Sequence, residues 1–110
     1  MIVWIEMLAE DKEADITALA REMSDPRIRW FHDPRHRAGR AIATSLGGTS
    51  QIAWDVYLFF DAGVEWEKQL PAPRHWTHQL SDAWADPTRL HFNDQLAPEL
   101  DRLIKTILRQ

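Results

Sequence analysis

The sequence predicts an α/β domain ordered β-α-β-α-β-β-α, with helices on both faces of a four-stranded mixed sheet and an extra segment before the last helix. Three observations carry this. Residues 2–8 and 52–60 are apolar runs rich in β-branched and aromatic side chains, the pattern of strands covered on both faces. Leu96, Leu100, Leu103, Ile104, Ile107 and Leu108 recur at helical spacing, as one buried stripe requires. At 110 residues, 45% of them apolar, the chain can bury the core of one domain without metal or disulfide support.

Each element has a local reason. The first strand spans residues 2–8, after which Asp11 or a neighbour caps a helix reaching Met23. Ile16, Leu19, Ala20 and Met23 form its stripe, and acids gather at the end that the helix dipole favours. Ser24-Asp25-Pro26 ends it, and Ile28 to His32 forms a second strand. Asp33-Pro34 reads as an N-cap with proline at the first helical position. That helix presents Ala38, Ala41, Ile42, Ser45 and Leu46, and stops at Gly47-Gly48.

The third strand spans residues 52–60. With the turn Asp61-Ala62-Gly63 and the alternating Val64-Glu65-Trp66-Glu67 it reads as an antiparallel hairpin. The last helix covers 94–109, with Pro98 in its first turn. Residues 70–93 are long for a connection and form the extra segment.

This element order resembles the thioredoxin-like family over residues 2–69 and 94–109. Residues 2–11 resemble the strand and loop that lead into the family's active-site helix. Trp30-Phe31-His32-Asp33 is similar to its second strand, and Gln51 to Gly63 to its third strand and glycine turn. The runs Ala53 to Leu58 and His78-Gln79-Leu80 also resemble those of bacterial thioredoxin-like proteins. The departures are large. Ala9-Glu10-Asp11-Lys12-Glu13 stands where the family has Cys-x-x-Cys, and Ala53-Trp54 stands where it has its cis-proline. No catalytic residue carries over. In a second alignment the first βα unit is absent, which leaves a strand edge exposed and favours a homodimer.

Absences exclude much. Without cysteine there is no thiol nucleophile, disulfide or dithiol redox chemistry. A net charge of −4 argues against a nucleic-acid partner. The acids of residues 6–25 and the arginines of 27–40 read as two solvated faces, with a phosphate-binding patch as the alternative. No apolar run approaches the ~18 residues of a membrane span, and the start lacks a basic signal-peptide region. A cytoplasmic protein is expected. Gly47-Gly48 follows a helix, whereas a phosphate loop precedes one, so no cofactor is expected.

The candidate binding residues are Trp54, Asp55, His75, Trp76, His78 and Trp84. His75 and His78 lie at i, i+3, so a short helix opened by Pro73 would put them on one face, where His91, His32, Asp33 or His36 would complete a metal site. The simpler reading has both rings hydrogen-bonded to backbone or water, and no metal is expected. Trp76, Trp84 and Phe92 would stack on a ligand or, alternatively, fold back onto the sheet. Asp55, mid-strand, needs a partner if buried.

The expectation is a redox-inactive binding or protein-interaction module, whose partner is an unknown protein or small molecule. Its surface would be built from residues 70–93 and the loops at Glu10–Glu13 and Gly48–Trp54. The alternatives are a metal-dependent or acid–base enzyme using His75, His78 and Asp33 or Asp55, and a self-associating domain.

Overall fold

The computed structural model describes residues 1–5, 7, 13–48 and 52–109. The expected loop at residues 10–12, the strand extension at 6 and 8, and residues 49–51 of the proposed contact surface lie outside them. Strand β1 (Ile2–Ile5), helix α1 (Glu13–Glu22) and strand β2 (Trp30–Asp33) form the first unit. Its strands are parallel, with Ile2 opposite Trp30 and Ile5 opposite Asp33, as a strand–helix–strand crossover requires.

Helix α2 (Arg37–Leu46) follows. It starts three residues later than Asp33-Pro34 suggests, because Asp33 closes β2 instead. The carboxylate still does a cap's work. It accepts from the Arg37 amide at 2.8 Å and the Gly39 amide at 3.1 Å, two of the donors that a helix start leaves unpaired. Gly47, at φ 74°, ends α2 in the left-handed conformation that glycine adopts without a Cβ clash.

The second half departs from expectation. Strand β3 is Val56–Phe59, and its antiparallel partner β4 is His75–His78, inside the segment read as an insertion. Val64 to Glu67 form no strand and are exposed. The described strands form two separate two-stranded sheets, β1-β2 and β3-β4. The four-stranded mixed sheet is not formed, because the fourth strand is a different segment and β1 does not pair with β3. Helix α3 (Leu96–Leu108) follows a 3-10 turn at Asn93–Gln95 and packs on β4.

The core joins the halves through Ala43 of α2, Ala53 before β3, and Trp84, with Ile42, Leu46, Val56 and Trp76 around them. Two glycines permit this closeness. A Cβ on Gly39 would sit 2.9 Å from Ile52 Cγ2 and 3.0 Å from the Ala53 carbonyl. A Cβ on Gly48 would sit 2.5 Å from the Trp84 ring. Leu103 anchors α3 and Ile16 anchors α1, while Ile104 and Leu108 of the expected apolar stripe are exposed. No helix among the described residues is long and apolar enough to cross a membrane.

Candidate functional site

The two sheets leave a slot between them. It measures about 570 Å³ and is walled by β1 on one side and by Trp54 through Phe59 on the other, within the usual size range of ligand sites. A second opening of about 240 Å³ shares Val3, Ile5, Val56 and Leu58 and reaches Ile42 of α2. The gap therefore opens on both sides of the strands.

Ladder geometry shows what faces the gap. The Ile2 amide donates to the Arg29 carbonyl at 2.7 Å, so Ile2 and Trp4 spend their backbone groups on β2. Alternation along the strand turns those of Val3 and Ile5 the other way. Across the gap, the Gln79 amide donates to the Asp55 carbonyl at 3.1 Å. In the register that sets Val56 against His78 and Tyr57 against Thr77, Tyr57 bonds to β4 while Val56 and Leu58 face outward. Among the described residues neither of these strand edges is paired, and the two confront each other across apolar walls.

Asp55 stands at the mouth of the slot. It is the only charged side chain among the described lining residues. Its left-handed φ of 56° is uncommon away from glycine, although Asp and Asn tolerate it best. It precedes β3 instead of lying in mid-strand, and it is exposed. Its Oδ1 accepts from the Tyr57 hydroxyl and the Gln79 side-chain amide, both at 3.1 Å. Burial, and then the Asp55 charge, push the Tyr57 hydroxyl above its ordinary value, so at neutral pH it keeps the proton it donates. Trp54 is 40% exposed beside it. Trp4, on the opposite wall, has a buried indole N–H with no hydrogen-bond partner.

The other candidates lie elsewhere. Because 75–78 is a strand, His75 and His78 point to opposite faces. The shared face that a helix would have given them does not exist, and they cannot chelate one ion. No group of three His, Asp or Glu among the described residues is placed to hold a metal. His78 is fully buried. Its Nδ1 accepts from the Leu80 amide at 3.2 Å and its Nε2 lies 3.2 Å from the Asp86 carbonyl. Those partners suit the tautomer that carries its proton on Nε2. Trp84, 3% exposed, and Trp76 pack around that ring. Arg89 lies 4.7 Å from the Trp76 ring centre, a cation–π contact within the chain. His78 and Trp84 are therefore interior packing, and Trp76 is partly buried against them.

On the opposite face of β4, Thr77 Oγ1 lies 2.7 Å from His91 Nδ1, and His91 Nε2 lies 3.8 Å from Glu99 Oε2. The residue types suggest a nucleophile, a base and an acid. The geometry does not deliver that chemistry. Thr77 has no exposed surface, and its hydroxyl donates to the Arg89 carbonyl at 2.8 Å. The trio ties β4 to the segment before α3 and to α3 itself. It was missed in the sequence because nothing there marks 75–78 as a strand that brings residue 77 next to residue 91.

No family model matches the chain, and neither a curated protein nor a solved structure matches it significantly.

Proposed function

We propose that the protein is a redox-inactive interaction module that works in the cytoplasm and takes an extended segment of a partner polypeptide into the slot between β1 and β3. The observation that supports this most is the pair of unpaired edges. Val3 and Ile5 on one bank, and Val56 and Leu58 on the other, turn backbone donors and acceptors toward the same apolar space. Strand addition uses such edges for affinity and alternate side-chain pockets for selection, and an open apolar edge is costly to leave bare. Ile2, Trp4, Tyr57 and Phe59 supply the apolar walls.

The test is a titration with a capped hexapeptide of alternating valine and threonine, read on backbone amide resonances. Shifts confined to Val3, Ile5, Val56 and Leu58 and their neighbours support the reading. The same peptide N-methylated at alternate residues, which removes its donors on one edge, should bind at least tenfold more weakly. No shift at any concentration, or equal binding of the methylated peptide, refutes it.

A further inference from the structure

The slot's own charge distribution selects among extended segments. Asp55 is its sole charged lining side chain among the described residues. Both contacts that this carboxylate makes among the described residues, from Tyr57 and Gln79, fall on Oδ1, which leaves Oδ2 without a partner among them at the mouth. The two contacts also hold the side chain in place, so its charge is presented in one position. The remaining lining side chains are aliphatic and aromatic, and the Met1 amino terminus also lines the slot.

Resting on the reading above, we infer that the natural occupant is an extended apolar segment bearing a lysine or arginine whose cation pairs with Asp55 Oδ2. An arginine fits better than a lysine, since its fork can engage Oδ2 and the exposed Asp55 edge together. An acidic residue at that place is disfavoured by like charge. The apolar body of the segment lies between Trp4 and Tyr57, and its backbone pairs with the two edges.

The experiment compares three capped hexapeptides of alternating valine and threonine that differ in one terminal residue: arginine, glutamine or glutamate. The Trp4 indole N–H resonance and the amides of Val56 and Leu58 report occupancy. The arginine peptide should bind about two- to fivefold more tightly than the glutamine peptide, the worth of an exposed ion pair, and the glutamate peptide more weakly than both. Asp55→Asn should abolish that order. Asn tolerates the left-handed backbone and keeps an acceptor for Tyr57 and Gln79. Equal binding of all three peptides overturns the charge selection and leaves the slot reading standing. No binding of any peptide overturns the slot reading itself. A dimer seen by light scattering that blocks all three peptides, and that Asp55→Asn leaves intact, overturns the basic occupant in favour of a second copy.

Discussion

Asp33 Oδ2 holds the amide of Gly39 at 3.1 Å, and this bond joins the end of the parallel sheet to the first turn of α2. It sits where α2 approaches the segment before β3, since the Gly39 carbonyl in turn accepts from the Ala53 amide at 2.8 Å. One carboxylate therefore places α2, and through it the residues that lead into β3.

Asp33→Ala should cost about 1–2 kcal/mol of stability, the upper range for losing a helix cap, because the carboxylate is buried and serves two amides. Asp33→Asn, which keeps one acceptor, should cost less. Urea unfolding of the three proteins checks the order, and equal midpoints would show that the cap carries no load.

Gly48→Ala should destabilise by about 1–3 kcal/mol through overpacking. The new Cβ would lie 2.5 Å from Trp84 Cζ2 and 2.7 Å from Cε2, and the indole is 3% exposed. Gly47→Ala meets no neighbour but must hold φ at 74°, at a cost of about 1–2 kcal/mol. Thermal unfolding separates the two mechanisms when paired with Trp84→Phe, which removes the indole's second ring. That change should relieve Gly48→Ala and leave the Gly47→Ala penalty untouched.

His78→Ala should cost about 2–5 kcal/mol, from the cavity and from the stranded Leu80 amide and Asp86 carbonyl. The wild-type protein should show no zinc uptake that depends on His78, since His75 lies on the other face of the strand. Equilibrium unfolding and a zinc titration measure the two effects. One-to-one zinc binding lost in both His75→Ala and His78→Ala would contradict the strand assignment.

Glu99 gives a pH signature. The hydrogen bond from Arg102, with smaller help from nearby His91, Arg102 and His75, holds its carboxyl below the ordinary value of 4.5, against the opposing effect of burial. A lowered folded-state pKa contributes stability that is present in full above the unfolded value and is lost as pH falls through the folded one. Glu99→Gln should therefore be less stable than wild type at pH 7, by at most about 1 kcal/mol. The gap should close as the medium is acidified below pH 4.5. A gap that stays constant into acid would point to packing instead of charge.

Much of the first half was legible in the sequence because its signals are local. The apolar run at Ile2–Ile5 and the Gly47 stop act within a few residues, and Asp33 reaches only to residue 39. Strand β4 was not legible, because two of its four residues are histidines and the fully buried pair is Thr77 and His78. Their burial is offset by partners at residues 80, 86, 89 and 91, which a hydrophobic pattern cannot register. The apparent alternation of Val64 to Glu67 drew the hairpin to the wrong partner, and the meaning of the His75–His78 spacing changed with it. In the candidate site, Trp54 and Asp55 were singled out in the sequence and line the slot. The facing edges of β1 and β3 set residues 2–5 against residues 56–59, which no local signal links.

Amide hydrogen exchange on the free protein tests the slot most directly. Unpaired edges predict fast exchange at Val3, Ile5, Val56 and Leu58, beside slow exchange at Trp4 and Tyr57, whose amides face β2 and β4. Added hexapeptide should then slow the four fast amides together. Protection of Val3 and Val56 in the free, monomeric protein, equal to that of Trp4 and Tyr57, would mean that the edges are already paired and that no slot awaits a partner.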